Sequence, residues 1–497
     1  MTGPHAVANL ADPLALHARQ RPTKAAIVHG DRVVTYAQLD TEVRRRAARL
    51  QDLGVTPGRV VGIALQDSIE HLVMLYAMAR AGAVILPLDC RWKGFEKLRV
   101  AEHFEPAAVM VEPGAAFAGA RCIETDGAWL AAVAQCSADR VFPDGDRSLA
   151  MSLSSGTTGR PKGPMVSHAK FLSRFWTHWV DLGFGSRETY INATPLYFGG
   201  GRAFSMSTLY AGGTVVLCPP PYRPEELAAE VARTHSTVLF LVPTLLRRLL
   251  SCDAATLAPL KRLHTLVSSG SALTPQERVQ IRETICPNFI EYYSSTEGGG
   301  ITVLSPDDQL RHGASVGRAV FGVEVQIVDD AHAPVAPGTV GRIRYSGPAV
   351  ADGFYRDPEA SAEAFRDGFF YPGDLGALDD EGYLFLRGRA KDMIIRGGIN
   401  IYPMEIEATL MNHAAVAEAS VVGWPSKEFD EEVAAFVMLR HAIDTAELIA
   451  LCREQLAPYK VPKRIFVVDE LPRTSLGKVI KAELVGRLPD LSNRSQA

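Results

Sequence analysis

One short stretch of the sequence combines small hydrogen-bond donors with fixed positive charge. From Met151 the chain reads MSLSSGTTGRPKGPMVSH, in which hydroxyl residues and glycines are followed by Arg160 and Lys162. Glycine lets backbone N–H groups approach a ligand closely, and serine and threonine add hydroxyl donors. An anion with several oxygen atoms suits this set of donors, and a phosphate is the obvious candidate.

Two other interpretations of this stretch have to be weighed. The Walker P-loop needs Gly, four residues and then Gly-Lys-Ser/Thr. Here Pro161 precedes Lys162, and proline has no N–H to offer to a phosphate. The stretch is also compatible with a plain glycine-rich surface loop between a strand and a helix, so the rest of the chain must decide.

The composition is that of an ordinary soluble globular protein. A chain of 497 residues is too long for one hydrophobic core and predicts about two to four domains. It is 47% hydrophobic and 22% charged, and its net charge of −4 gives no basic field for nucleic acid. The N-terminus lacks a secretory signal and no apolar run reaches about 18 residues, so we expect a cytoplasmic protein without membrane insertion. Its seven scattered cysteines signal neither a disulfide framework nor a zinc site.

Strand and helix patterns alternate around the phosphate-like stretch. The segment AAIVHGDRVVTYAQL predicts two strands that meet at Gly30 and Asp31, followed by a helix over about 36–53. Apolar strand patterns then alternate with helical segments: VVGIALQ, AVILPLD, AAVMVEP, TVVLCPP, TVLFLVP and HTLVSSG. We therefore expect an α/β fold with buried, largely parallel strands.

The pattern changes after about residue 313. Shorter, glycine-punctuated strands (VEVQIVDD, VGRIRYSG, GYLFLRGR) predict an antiparallel β subdomain. Beyond Arg389, two helical and three strand patterns predict a small α+β domain. The predicted domains are 1–390, with the β subdomain at approximately 313–390, and 391–497.

Five segments, taken together, resemble the adenylate-forming superfamily of acyl-CoA synthetases, adenylation domains and luciferases. They are SSGTTGRPKG (154–163), EYYSSTEGG (291–299), FYPGDLG (370–376), GRAKDMIIRGGINIYPMEIE (388–407) and PRTSLGK (472–478). Their order and spacing match, and with the N-terminal α/β pattern they cover nearly the whole chain. The resemblance implies a large N-terminal domain that binds AMP and the acid, and a small, mobile C-terminal domain.

The resemblance also implies an ATP site. The opening stretch becomes the phosphate-binding loop, near the β- and γ-phosphates: Ser154, Ser155, Gly156, Thr157, Thr158, Gly159 and Lys162. The other implied ATP or AMP contacts are Gly270, Ser271, Ala272, Tyr292, Tyr293, Ser294, Ser295, Thr296, Asp374, Arg389 and Lys478. Within this set, Tyr293 is implied to lie beside the adenine, Thr296 near the α-phosphate and Asp374 on the ribose hydroxyls.

The implied catalytic residues are Lys478, Thr296, Glu297 and Lys162, and the implied Mg²⁺ ligands are Glu297 and Thr158. One acidic residue suffices for the metal, because Mg²⁺ is usually held by one or two carboxylates plus substrate phosphates. Lys478 is implied to contact the substrate carboxylate and the α-phosphate together. Taken alone, Glu297 would be a solvated glutamate, Asp374 a turn residue and Lys478 a solvated lysine.

The implied reaction has two steps and uses ATP, Mg²⁺ and coenzyme A. A carboxylate attacks the α-phosphorus of ATP to give an acyl-adenylate and pyrophosphate, and a thiol then displaces AMP. Only 19 residues follow Lys478, so we expect no fused carrier domain and coenzyme A as the acceptor. A separate carrier protein is the alternative acceptor, and a light-emitting oxidation is a third possibility. A nucleotide-binding homologue without catalysis also stays open, and a homodimer is compatible with the resemblance.

The family alternates between two orientations of its C-terminal domain, which implies a hinge at Lys391. After rotation, Gly397 and Gly398 would line the tunnel for the pantetheine arm of coenzyme A, where residues without side chains leave room. A tight turn before IYPMEIE predicts the same two glycines. The two glycines are compatible with both the tunnel and the tight turn.

The implied acyl pocket is aromatic and small: Phe198, Gly199, Gly200, Phe204, Tyr292 and Ser294. It contains no cation, so we expect an aryl or medium-chain aliphatic acid with an uncharged tail. Arg202 follows the glycine run, and we expect it on the surface rather than bound to a second carboxylate of the acid.

The chain departs from the family pattern at three positions and contains one misleading motif. Phe198 replaces a common histidine, Ser294 a glycine and Pro372 a threonine. GASVG at 313–317 fits the serine-hydrolase pattern G-x-S-x-G. A strand follows it where a nucleophile elbow needs a helix, so we reject that function.

Overall fold

Strands and helices are interspersed from Asp12 to Ala319. The structure, a computed structural model, describes residues 9–143, 147–155, 161–271, 273–426, 428–473 and 479–494. The strands up to Ala319 are β1 Ala25–His29, β2 Arg32–Thr35, β3 Val60–Ala64, β4 Val84–Pro87, β5 Ala108–Val111, β6 Cys122–Glu124, β7 Ser148–Met151, β8 Ser154–Ser155, β9 Pro161–Lys162, β10 Met165–Ser167, β11 Thr189–Asn192, β12 Thr214–Leu217, β13 Val238–Leu241, β14 Thr265–Ser268, β15 Phe289–Ser295, β16 Gly299–Leu304 and β17 Arg318–Ala319.

The helices of the same part are α1 Asp12–Gln20, α2 Tyr36–Asp52, α3 Ile69–Ala81, α4 Gly94–Phe104, α5 Gly127–Gln135, α6 His168–Val180, α7 Gly199–Ala211, α8 Pro224–Thr234, α9 Pro243–Leu250, α10 Ala254–Leu257, α11 Pro275–Thr284 and α12 Pro306–Arg311, with a 3₁₀ turn at Ala258–Arg262. Local signals explain their ends. The Thr35 hydroxyl accepts the Gln38 N–H at the start of α2, and Gly82 ends α3 with φ +76°. In the part of the chain that the structure describes, no helix has the length and apolar character needed to cross a membrane.

Two sheets organise this part of the chain. The first has nine strands in the order β17-β16-β15-β14-β13-β11-β12-β1-β2, and its pairing is parallel from β15 to β1. The second has six strands in the order β10-β7-β4-β3-β5-β6, and its pairing is parallel except at β10. Strands β3, β4, β5, β13 and β14 are buried along their whole length, as parallel strands between helical layers must be. The structure thus has the predicted α/β class.

An antiparallel sheet follows the nine-stranded one. It contains β18 Glu324–Val328, β19 Gly341–Ser346, β20 Phe365–Arg366, β21 Phe369–Phe370, β22 Asp374–Leu378 and β23 Leu384–Arg389, with α13 Pro358–Ala364 between β19 and β20. Its path is β20-β21-β19-β22-β23, and β18 pairs with β19. A 3₁₀ turn, Ala390–Asp392, leads out of this sheet.

The C-terminal part is a small α+β unit, as the sequence pattern predicts. Its strands are β24 Ile394–Arg396, β25 Ile399–Ile401, β26 Val416–Ser426, β27 Asp430–Leu439 and β28 Arg464–Val467. Its helices are α14 Pro403–Met411, α15 Thr445–Gln455 and α16 Lys481–Arg494, with a 3₁₀ turn at Pro458–Lys460. The sheet order is β25-β24-β27-β26, and β28 pairs in parallel with β27.

The GASVG segment serves the packing between sheets. The hydroxyl of Ser315 is buried and donates to the carbonyl oxygen of His312 at 2.7 Å. Gly317 has φ +88°, and a Cβ added there would lie 1.9 Å from the carbonyl oxygen of Val303. Gly317 is therefore required because the backbone of Val303 passes too close for a side chain. Strand β17 follows it, where a nucleophile elbow would need a helix.

Three buried histidines of the N-terminal part are held neutral. Burial lowers the pKa of His71 to about 4, of His168 to about 4 and of His178 to about 3. The pKa of an imidazole in the unfolded chain is about 6.5. At a pH between the folded-state and unfolded-state pKa values, each of these histidines therefore binds a proton in the unfolded chain but not in the folded one.

We expect the free energy of unfolding to decrease as the pH falls from about 6.5 toward 4, because unfolding then lets each imidazole take up a proton. Each of the three histidines adds a slope of up to about 1.4 kcal/mol per pH unit. His168→Gln keeps an acceptor for the Leu10 N–H, which now donates to Nδ1 at 3.1 Å. When the free energy of unfolding is measured in urea at a series of pH values, its slope against pH should be smaller in this variant by the contribution of about one histidine. His441→Gln, at an exposed position, is the matched control, and equal slopes in the parental and His168→Gln proteins would contradict the expectation.

Candidate functional site

The carboxyl ends of neighbouring parallel strands bring the predicted nucleotide segments together. Strand β14 continues into Ser269, Gly270 (φ +108°) and Ser271. Strand β15 lies beside it in parallel, and the hydroxyls of Ser269 and Ser294 are 3.1 Å apart. Ligand sites of α/β sheets form at this edge.

A carboxylate links this edge to the antiparallel sheet. Tyr293, in β15, donates its hydroxyl to Oδ2 of Asp374 at 2.5 Å, and Nε of Arg389 lies 2.7 Å from Oδ1. Asp374 and Arg389 are direct partners in the β22–β23 ladder. Burial, and then the negative charge of Asp374, raises the pKa of the Tyr293 phenol. Three residues from three separate sequence motifs thus form one cluster.

The turn that carries Thr296 and Glu297 joins β15 to β16, and both residues are half-buried. The carbonyl oxygen of Glu297 accepts from Nη2 of Arg174 and from the backbone N–H of Ala351, each at 2.9 Å. The Ser295 hydroxyl accepts the Gly298 N–H at 2.9 Å and contacts the Tyr345 hydroxyl at 2.5 Å. The turn is held in shape by partners on both of its sides.

The predicted phosphate loop begins and ends in a small hairpin. Strands β8 and β9 pair antiparallel, with Ser154 opposite Lys162. Nζ of Lys162 lies 4.9 Å from the centre of the Phe354 ring. The backbone around Phe354 connects the hairpin to the turn, because Gly163 O accepts the Tyr355 N–H at 2.8 Å and Glu297 O accepts the Ala351 N–H.

Several predicted residues lie outside the described part of the chain. They are Gly156, Thr157, Thr158, Gly159, Ala272 and Lys478, and the side chains of Ser154 and Ser155. Their roles remain predictions.

The predicted acyl-pocket residues meet an aromatic cluster on α6 and α7. Phe198 precedes α7, Gly199 and Gly200 form its first turn, and Phe204 is buried. The Phe204 ring centre is 4.3 Å from that of His178 and 4.9 Å from those of Phe184 and Phe240. A Cβ at Gly200 would lie 2.7 Å from Cε1 of Phe240. Tyr292 closes the cluster from β15, with its ring centre 6.3 Å from that of Phe204.

The expectation for Arg202 was wrong. Its side chain is 1% exposed, and Nη1 donates to the carbonyl oxygens of Leu196 and Tyr197 at 3.2 and 2.9 Å. Burial, and then Arg174, lowers its pKa to about 9. A glycine run next to an arginine suggests an exposed side chain. In the structure, however, other parts of the chain cover the face of α7 that carries Arg202. The sequence does not show that this face is covered.

Arg174 and His178 on α6 are residues that the sequence analysis missed. Both are buried, but only Arg174 is a cation, because His178 is neutral. Arg174 interacts electrostatically with Tyr292, so the expectation of a pocket region without a buried cation was also wrong. A signal was present, because Arg174 and His178 lie at helical spacing from Phe171 and Phe175, on the face of α6 that is otherwise apolar.

The predicted hinge and tunnel residues lie just after the antiparallel sheet. Lys391 is exposed in the 3₁₀ turn that separates β23 from β24. Gly397 and Gly398 form the β24–β25 turn with φ +57° and +80°. Two consecutive positive φ angles define a type I′ hairpin turn, so the turn by itself accounts for both glycines. The tunnel role stays a prediction.

The donors around the edge fit a nucleotide and a hard metal ion. Asp374 offers two oxygens beside a buried phenol, as a ribose diol requires. Glu297 and Thr296 place carboxylate and hydroxyl oxygens on one turn, and oxygen donors of this kind suit Mg²⁺.

The chain is similar in sequence to known protein families and to characterised enzymes. The model of the AMP-binding enzyme family matches residues 14–355, and the model of the AMP-binding enzyme C-terminal domain matches residues 405–478. The feruloyl-CoA synthase of an Amycolatopsis species is 34% identical over 477 residues, which cover 94% of this chain and 96% of that relative. The indoleacetate–CoA ligase of Aromatoleum aromaticum is 33% identical over 490 residues, with coverage of 94% and 96%.

A solved structure has the same fold. ATP-bound MatB from Rhodopseudomonas palustris superposes with a TM-score of 0.89 at 32% identity, covering 97% of this chain and 99% of that one. The chain belongs to the AMP-binding enzyme family, in the acyl-CoA synthetase branch of the adenylate-forming enzymes.

Proposed function

We propose that the protein joins a small aryl carboxylic acid to coenzyme A at the expense of ATP. The observation that carries the proposal is the Asp374 carboxylate, held between Tyr293 and Arg389 beside the turn of Thr296 and Glu297. The aromatic cluster around Phe204 supports an aryl acid, as do the two relatives, whose names specify ferulate and indoleacetate.

In the first step, a carboxylate oxygen of the acid attacks the α-phosphorus of ATP and pyrophosphate leaves. Asp374 accepts the ribose hydroxyls and Tyr293 packs beside the adenine, which fixes the α-phosphate near Thr296. Two unit negative charges about 4 Å apart repel by about 4 kcal/mol at an effective dielectric of about 20, so a cation between them lowers the barrier. We assign this cation to Lys478, on the basis of the PRTSLGK motif. Glu297 would hold Mg²⁺, which would neutralise phosphate charge.

In the second step, the thiol sulfur of coenzyme A attacks the acyl carbon, the bond to the AMP oxygen breaks, and the thiol proton is lost to solvent. We propose two domains, 1–390 and 391–497, that turn about Lys391 between the steps. Apolar walls discriminate by only about 1–3 kcal/mol per methylene, so several related aryl acids should be accepted.

The function is tested by acid-dependent exchange of pyrophosphate into ATP and by release of AMP with a thioester. We expect at least one acid of a panel that includes ferulate and indoleacetate to support both reactions, with one AMP formed per thioester. Exchange without a coenzyme A thioester would point to a carrier protein as acceptor. ATP binding without exchange for any acid would point to a nucleotide-binding homologue without catalysis.

Asp374→Asn keeps the shape of the side chain but removes the charge that accepts the ribose hydroxyls and pairs with Arg389. Hydrogen bonds to charged groups contribute about 1.5–3 kcal/mol, so the KM for ATP should rise at least about tenfold. Asp379→Asn is the matched control, because Asp379 caps the β22–β23 turn through the N–H groups of Glu381 and Tyr383. Equal KM values in the two variants would remove Asp374 from the nucleotide site.

Lys391→Pro should separate the two half-reactions. Proline fixes φ near −65°, which a 3₁₀ turn tolerates but a rotating hinge does not. Pyrophosphate exchange should survive, whereas thioester formation should fall by about a hundredfold or more. Lys391→Ala leaves the backbone free and should cost little in either step. A folded proline variant that forms thioester at the parental rate would place the hinge elsewhere.

A further inference from the structure

One histidine of the aromatic cluster makes no hydrogen bond through its ring to the part of the chain that the structure describes. His178, on α6, is 3% exposed, and its Nδ1 is buried without a partner. Other buried histidines differ from it. Nδ1 of His71 lies 3.1 Å from the carbonyl oxygen of Leu65, and Nδ1 of His168 accepts the N–H of Leu10 at 3.1 Å. The ring of His178 is therefore unusual in this chain.

The unpaired ring of His178 carries a cost that packing does not explain. Burial, and then the charge of Arg174, lowers its pKa to about 3, so the ring is neutral. A neutral imidazole has one N–H donor and one nitrogen acceptor. Burying such groups without hydrogen bonds is unfavourable, and a phenylalanine ring would stack on Phe204 without that penalty. A ligand that forms hydrogen bonds with the ring would offset it.

The position of His178 is suited to the far end of a bound acid. Nη2 of Arg174 reaches the carbonyl oxygen of Glu297, in the turn proposed to hold the reacting groups. His178 lies one helical turn, about 6 Å, further along α6. Its ring centre is 4.3 Å from that of Phe204 and 6.4 Å from that of Tyr292. The turn and His178 thus correspond to the carboxylate end and the ring end of one aryl acid.

The chemistry of the imidazole favours a hydroxyl group as its partner. A phenolic hydroxyl is both a donor and an acceptor, so it can bond to a neutral imidazole in either tautomer. The neutral ring has no charge with which to hold an anionic substituent. The nearby guanidinium of Arg174 would repel a cationic one. An uncharged hydroxyl on the aromatic ring of the acid fits best.

We propose that His178 is a specificity-determining residue of the acid pocket, where it binds the ring hydroxyl of a hydroxylated aryl acid. The proposal rests on the proposed function, because the cluster around Phe204 has to be the acid pocket. A site built to hydrogen-bond a hydroxyl is left with unpaired polar groups when the substrate lacks it, and it rejects that analogue more strongly than apolar walls can. The hydroxylated acid is selected over its unsubstituted counterpart.

Matched pairs of acids test this selection. The pairs are 4-hydroxycinnamate with cinnamate, 4-hydroxybenzoate with benzoate, and 4-hydroxyphenylacetate with phenylacetate. In the parental protein, kcat/KM for pyrophosphate exchange should favour the hydroxylated member of the pair with the highest turnover by about tenfold or more. His178→Phe keeps a ring on Phe204 but has no ring nitrogen, so its preference should fall to about one. Its KM for ATP should stay parental. If His178→Phe does not fold, His178→Leu serves the same purpose.

Two further variants separate hydrogen bonding from packing. His178→Gln keeps a donor and an acceptor and should retain a preference of about threefold or more. His168→Gln is the matched control, because it replaces a buried, neutral histidine of the same helix that already has a partner. It should keep the parental preference.

The outcomes distinguish this inference from the proposed function. Equal kcat/KM values for the two members in the parental protein, or a parental preference in His178→Phe, would overturn the inference and leave the proposed function standing. Loss of the preference in His178→Gln or in His168→Gln would assign the effect to packing, and would also overturn the inference. Exchange with other acids but with no member of the pairs would have the same meaning. If no acid at all supports exchange, both the inference and the proposed function are overturned.

Discussion

The carboxylate of Asp374 holds two sheets together at the candidate site. Its oxygens bind Tyr293 from the nine-stranded sheet and Arg389 from the antiparallel sheet. Arg389 is also the last residue of β23, and the 3₁₀ turn with Lys391 follows at once. The proposed nucleotide site and the proposed pivot therefore share one pair of strands. A rotation that begins after Arg389 would leave the proposed ribose contacts undisturbed, which is what a two-step reaction on one bound nucleotide requires.

Buried guanidinium groups shape the loops around this carboxylate. Loops at a sheet edge leave backbone carbonyls without ladder partners, and buried carbonyls need donors. Arg174 donates to the carbonyl oxygen of Glu297, and Arg202 donates to those of Leu196 and Tyr197. Both side chains also bring positive charge toward a site proposed to bind a triphosphate and a carboxylate. Such fixed charges stabilise anions without reorganisation during the reaction.

The sequence predicted the fold well because the fold depends on local patterns. Continuous apolar runs such as VVGIA and VLFL are typical of parallel strands covered on both faces, and these segments are β3 and β13. The helix predicted over about 36–53 is α2, Tyr36–Asp52. The short motifs likewise predicted Tyr293, Asp374 and Arg389, which lie far apart in the chain and meet in space.

The burial of Arg202 and the neutral state of His178 could not be predicted in the same way. The exposure of Arg202 depends on what covers α7. Ser152, which is distant in sequence, and the backbone of Leu196 and Tyr197, just before the helix, cover its side chain. His178 is neutral only because aromatic rings surround it. These properties arise from tertiary packing, which a single sequence does not contain.

The ring cluster around Phe204, which we propose as the acid pocket, has a consequence for how acid specificity changes over evolutionary time. Phe204 contacts several other rings. A substitution that enlarges the space at one position therefore changes which residue type packs best at the neighbouring positions. The effects of such substitutions are non-additive when residues touch. New specificities in this lineage are therefore expected to arise through sets of compensating replacements on α6 and α7. The proposed nucleotide-binding residues on the strand ends can stay the same throughout, because they belong to other elements.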